Sequence, residues 1–135
     1  MNESPHVRRF DLDAQGFARV LGDLEARILE AVWRLGHATV KGVADALGPE
    51  AHTKTTMTVM NRMVDKGLLR RERHGRAFTY AAVLEREAFS ADVVERVVAG
   101  LLADFAQPTL AHFVETADTQ QLAELDDMIR RRRDG

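Results

Sequence analysis

Apolar positions recur along this chain at helical spacing, switch briefly to alternation, and then return to helical spacing. Leu24, Ile28, Val32 and Leu35 fall three or four residues apart, which predicts a helix with Asp23 as N-cap and Gly36 as its stop. Thr39 caps a short second helix that turns Val40, Val43, Ala44 and Leu47 inward and ends at Gly48-Pro49. A third helix is predicted from about Thr53 to Lys66, with Met57, Met60 and Val64, flanked by Met63, as its apolar stripe and Gly67 as its stop. Leu69 to Arg73 and Arg76 to Ala81 then read as a hairpin about a His74-Gly75 turn. Phe78 and Tyr80, two apart, share one strand face and are expected to close the hairpin over the three helices. Trp33 reads as a packing residue with no evident polar role.

Helical spacing resumes from Glu85 to Phe105, with Phe89, Val93, Val97 and Leu101 at steps of four. Gln107-Pro108 interrupts it. A short helix carrying Leu110, Phe113 and Val114 follows, and Thr119 caps a last one with Leu122, Leu125, Met128 and Ile129. Three short helices cannot bury such broad apolar faces alone in ~50 residues. A symmetric homodimer is the economical solution, built on Phe89, Val93, Val97, Leu101, Phe113, Leu122, Leu125 and Ile129. The alternative is that these helices pack back on their own chain. Before the first helix, Phe10, Leu12, Phe17 and Val20 form either a short packing helix or an arm that orders on binding.

The third helix has a second, polar face. Thr55, Thr58, Arg62 and Asp65 recur at helical spacing, a stripe that core packing does not need and a helix lying in the DNA major groove does. Charge supports the same reading. The net charge of −2 hides an asymmetry: residues 53 to 76 hold seven lysines and arginines against two acids, while residues 83 to 135 hold six arginines against eleven acids. The basic excess sits where a phosphate backbone would be met, with Arg73 and Arg76 at the hairpin tip. The expected fold is therefore mostly α with a small β-hairpin: an extension over 1–20, a winged helix-turn-helix over 21–82, and a helical dimerisation region over 83–135.

Composition narrows the other classes. With 45% hydrophobic and 30% charged residues the chain is ordinary for a soluble domain. No run approaches ~18 to 20 consecutive apolar residues, and the N-terminus lacks the apolar core of a signal peptide, so a cytoplasmic protein without membrane insertion is expected. Zero cysteine excludes disulfides, thiolate metal sites and a cysteine nucleophile. Ser4, Ser90 and the threonines, with His6, His37, His52, His74 and His112, form no Gly-x-Ser-x-Gly, His-Glu-x-x-His or phosphate-cradling loop, so no catalytic site and no cofactor are expected. His112 with Glu115, and Glu85, Glu87 and Asp92 not far in sequence, fall short of a metal site. A winged-helix adaptor for protein partners is the remaining alternative, and the basic excess argues against it.

Three segments in order carry a family resemblance. They are Leu21-Gly22-Asp23-Leu24-Glu25 with Trp33, then Thr55 to Met63 with Lys66-Gly67-Leu68, and finally His112-Phe113-Val114-Glu115. In these the chain resembles the penicillinase-repressor family of winged-helix regulators, over roughly residues 21 to 129. The resemblance implies a homodimer on a dyad operator in double-stranded DNA. By matching positions it places Thr55, Thr56, Thr58 and Arg62 against base edges and phosphates, and Lys54, Arg73 and Arg76 on the backbone. It also implies a possible sensor-protease pathway that cuts an Asn-Phe bond in the dimerisation region. Here the matching pair is His112-Phe113, which puts cleavage at that bond in doubt. The copper-sensing branch, with its cysteine pair, is excluded.

Overall fold

The structure, a computed structural model, describes residues 7–135; His6, one of the bases considered above, lies outside them. Five helices and one hairpin follow in order: α1 (Asp23–Leu35), α2 (Val40–Leu47), α3 (Thr53–Asp65), β1 (Leu69–His74), β2 (Ala77–Ala82), α4 (Arg86–Thr116) and α5 (Thr119–Asp134). A short 3-10 helix, Gly16–Arg19, precedes them. The fold class expected from the sequence is the one observed. Two compact units divide the chain, the first ending at Val93 and the second spanning Val94–Gly135.

The first unit is a closed three-helix core with a wing. Ile28, Leu29 and Val32 of α1, Val43 of α2, and Met60 and Met63 of α3 are essentially inaccessible to solvent. The caps differ slightly from expectation. Gly22, not Asp23, caps α1, and Glu25 Oε1 accepts the Gly22 N–H at 3.0 Å. Thr39 caps α2 as expected, its Oγ1 accepting the Gly42 N–H at 3.0 Å. The hairpin loop is Gly75-Arg76 rather than His74-Gly75. Gly75 takes φ +63°, the positive value that two-residue hairpin turns require at their first position. Tyr80 also pairs in backbone with Ala38 of the α1–α2 loop, at 2.8 and 3.0 Å, so the wing is tied to the helices by a one-residue third strand.

Among the described residues ahead of α1, Phe17 and Val20 pack on the body, while Phe10 and Leu12 are exposed. Phe17 meets Trp33 at 5.1 Å and Phe89 at 5.3 Å between ring centroids, and Trp33 meets Phe89 at 5.8 Å. Trp33 also has a polar role that its sequence context did not suggest, since its indole N–H donates to the Leu84 carbonyl at 2.9 Å. Arg86 pairs with Glu30 and lies over the Trp33 ring at 5.1 Å. This cluster fixes the start of α4 on α1. It also corrects two expectations, because Phe89 (1% exposed) and Val93 (8%) are core residues of the first unit, not part of a dimer face. Period-four spacing along α4 marks an inward face at Phe89 and Val93, while Val97 is half-buried and Leu101 exposed. The spacing cannot say which unit the face packs into.

The second unit behaves differently. Among residues 94–135 none is buried. Val94, Val98, Leu101, Leu102, Phe105, Leu110, Phe113, Val114, Leu122, Met128 and Ile129 are all exposed. α4 is continuous across the expected interruption except at Phe105, whose φ of −137° and ψ of 43° break the helical path. Pro108 lies three residues later, in the first turn after the break, where its missing N–H and ring are tolerated. Asp118 rather than Thr119 caps α5, in a reciprocal box with Gln121 at 2.8 and 2.9 Å. By length and hydropathy α4 also meets the requirement for a membrane crossing, with an 18-residue window averaging 1.3, which the absence of a long unbroken apolar run had not suggested.

Candidate nucleic-acid interface

α3 presents the candidate reading face. Its C-terminus is released at Gly67, where φ of +77° suits glycine and turns the chain into β1. The inward face is Thr56, Met60 and Met63, about one residue round from the stripe expected from sequence. Met57 is consequently 44% exposed on the outer side, together with Lys54, Thr55, Thr58 and Arg62. Thr56 is the residue that the rotation removes. It is 1% exposed and its hydroxyl donates to the His52 carbonyl at 2.9 Å, so it faces the core and not a base edge. Methionine volume and threonine hydrogen bonding inside one turn make these two registers nearly equal locally; packing of α3 against α1, α2 and β1 together decides between them. Thr58 is exposed but its hydroxyl hydrogen is committed to the Lys54 carbonyl at 3.0 Å. What it offers outward is a methyl group and an acceptor oxygen.

The wing carries the cations. Its register pairs Arg71 with Tyr80 and Arg73 with Phe78, so all four share one face. Tyr80 is 2% exposed, but Phe78 is 40% exposed and does not help close the core as expected. Instead the Arg71 and Arg73 guanidiniums lie over its ring at 4.7 and 5.8 Å. Arg73 also donates from Nε to the Gly75 carbonyl at 2.9 Å, which folds it against the turn. Arg76 occupies the turn itself and is exposed. On the opposite strand face, Glu72 stands 3.6 Å from Arg70 and 3.7 Å from His74.

Sequence reasoning passed over three residues here: Asn61, Arg71 and Glu25. Asn61 Oδ1 accepts from Tyr80 at 2.8 Å and from Arg71 at 3.1 Å, joining helix to wing. Placing the turn one residue later would have set Arg71 opposite Tyr80 and exposed this cluster. Glu25, at the start of α1, pairs with Lys66 at the end of α3 at 2.7 Å, with side chains 14% and 34% exposed. Burial pushes the Glu25 carboxyl up, but the Lys66 ammonium, the Gly22 N–H and the nearby Arg62 outweigh it, and the net effect lowers its pKa. The ion pair spans 41 residues, a tertiary fact without a local signal.

The candidate dimer residues of the second unit are uncovered. Leu101, Phe113, Leu122 and Ile129 are 37 to 56% exposed, and Val97 and Leu125 are half-buried. A groove of about 780 Å³ runs between the later part of α4 and α5, lined by Leu101, Phe105, His112, Phe113, Leu125 and Met128 among others. His112 faces Glu115 at 3.4 Å, and among the described residues no three potential metal ligands come together.

Comparison with known proteins adds a family. The family model described as penicillinase repressor matches residues 21–131. The transcriptional regulator BlaI of Mycobacterium tuberculosis, in strains CDC 1551 and H37Rv, is 34% identical over 126 residues, covering 78% of this chain and 85% of the relative. Among solved structures, the solution structure of the DNA-binding domain of the repressor BlaI aligns at 24% identity with a TM-score of 0.44, over 49% of this chain and 83% of that one.

Proposed function

The chain belongs to the penicillinase repressor family and is a transcriptional repressor, not an enzyme, and on that premise we propose that it works as a homodimer on a dyad-symmetric operator in double-stranded DNA. In this reading α3 lies in the major groove. Thr55 and Thr58 offer methyl groups and oxygen acceptors to base edges, and Arg62 reaches a guanine edge or a phosphate. Lys54, Arg73 and Arg76 neutralise phosphates and so supply affinity without sequence preference. Thr56 takes no part, being buried. The winged-helix region 21–82 and the helical region from 83 onward divide reading from pairing, with the first turns of α4 lent to the reading side.

One observation carries the dimer: the second unit has no buried residue of its own. Leu101, Phe113, Leu122, Leu125 and Ile129, with Val97, then form the face that a second copy covers. A lipid bilayer would suit this face less well, because α4 carries Glu95, Arg96 and Asp104 and breaks at Phe105. Two linked reading heads gain affinity multiplicatively, so any event that separates the copies releases DNA. The family's sensor-protease route is one such event. The His112-Phe113 bond lies within α4, so a protease acting there must first unwind that helix's last turn.

Selection of bound duplexes from a random pool at ~0.15 M salt tests the reading. A recovered motif with two-fold symmetry and half-sites ~10 bp or a near multiple apart supports it. Recovery of no motif, with binding that vanishes at that salt, overturns it in favour of a winged-helix module for protein partners.

A further inference from the structure

Asn61 precedes Arg62 on α3, yet its side chain turns to the wing. Its Oδ1 accepts two hydrogen bonds, from the Tyr80 hydroxyl at 2.8 Å and from Arg71 Nη1 at 3.1 Å. Tyr80 is immobile on three counts: its ring is buried, its backbone pairs with Ala38, and its hydroxyl is engaged by Asn61. Arg71 is thereby held at two places. One edge of its guanidinium meets Asn61, and its face lies over Phe78 at 4.7 Å. The partner oxygen is a neutral amide, so it orients the cation without cancelling its charge. An arginine has five N–H donors and the structure commits one of these to Asn61, which leaves most of the fork for another acceptor. Restricting the side chain beforehand removes part of the entropy cost of a later contact. Arg70, one residue earlier, is instead on the opposite face beside Glu72.

We infer that Asn61 is a positioning residue that couples the wing to the recognition helix and presets Arg71 for a DNA phosphate flanking the groove that α3 enters. This rests on the DNA-binding reading above. It extends the reading surface from the tip of the wing to its inner face. Arg71 makes the contact, Phe78 supports it, and Asn61 never touches DNA.

The test is the salt dependence of binding of the full chain, measured on the selected duplex and on an unrelated duplex of equal length. R71A is expected to reduce the slope of log affinity against log salt by about 1.8 on both duplexes, since a dimer loses one phosphate contact from each copy. N61A is expected to produce a similar reduction, and N61A/R71A no more than either alone, because the two substitutions break one arrangement. Y80F, which leaves the Asn61–Arg71 bond in place, is expected to keep the wild-type slope. A purely structural role for Asn61 would lower the melting temperature of N61A and leave its slope intact, which overturns the proposal. An unchanged slope in R71A overturns it as well. If N61A does not fold at the assay temperature, N61S takes its place, since a serine hydroxyl is too short to reach Arg71. Failure of the wild-type protein to bind either duplex at any salt would instead sink the DNA-binding reading itself.

Discussion

The two units of this chain meet the cost of folding in different ways. Up to Val93, three helices and a wing close around Ile28, Leu29, Val32, Met60, Met63 and Phe89, all at or below 1% exposure. After Val93, a helix pair with a comparable supply of apolar residues buries none of them. Apolar content is therefore no measure of self-sufficiency. What distinguishes the units is geometry: helices that cross, with a hairpin over the remaining side, enclose a volume, whereas two helices leave every apolar face with an open flank. The first unit can be read as a finished reading head and the second as half of something.

The largest expected effect follows from that difference. Leu101→Asp combined with Phe113→Asp places two charges on the open face. Dyad-duplex affinity should fall by ~10² to 10⁴ as pairing is lost, with sedimentation showing a monomer. The circular dichroism and aromatic fluorescence of the first unit should persist. A wild-type chain that sediments as a monomer would break the comparison outright. Next, Phe89→Ala should destabilise the first unit by about 3 to 5 kcal/mol, because it empties the Phe17–Trp33 cluster. Trp33 fluorescence in urea would report it. A loss of dimer with unchanged unfolding would return Phe89 to the second unit.

Arg62→Ala sharpens the division of labour. It should cost about 1 to 3 kcal/mol against the selected duplex, or weaken all sequences alike if Arg62 meets a phosphate, with dimer mass unaltered in either case. The smallest effect concerns Glu25. Its pKa is lowered in the folded chain despite burial, because of Lys66, Gly22 and Arg62. Its stabilisation is hence fully present above the ordinary glutamate pKa of ~4.3 and is lost as pH falls through the lower folded value. Glu25→Gln should destabilise by about 1 kcal/mol at neutral pH. The gap from wild type should close below about pH 4, as thermal melts across the acid range would show.

Much of the fold is legible in consecutive residues, and the departures share a cause. Thr39 as a cap, Gly67 as a stop, the first three helices, the hairpin and the last helix follow from local chemistry. The separate short helix expected after Gln107-Pro108 is instead part of α4. The other departures are rotations or shifts by about one residue: Met57 for Thr56 on the buried side of α3, His74 for Arg76 in the turn, Thr119 for Asp118 at the cap. Each involves neighbours with near-equal local preference, where a distant contact decides. Phe89 and Val93 illustrate a larger version of this. Their spacing announces an apolar face, but Trp33 and Phe17, more than fifty residues away, determine what that face meets.

The amino-acid sequence by itself determined the order of elements, the polar face of the third helix, the basic character of the hairpin and the surplus of apolar surface in the last fifty or so residues. These depend on periodicity and charge, which no folding event can alter. Only the tertiary structure decided that Thr56 turns inward, that α4 begins inside the reading head, and that Asn61, Tyr80 and Arg71 converge across helix and wing. Those outcomes depend on which faces lie opposite one another once the chain has closed. Burial and hydrogen-bond satisfaction select among registers that are locally almost equivalent, and that selection takes effect only when the distant partners are in place.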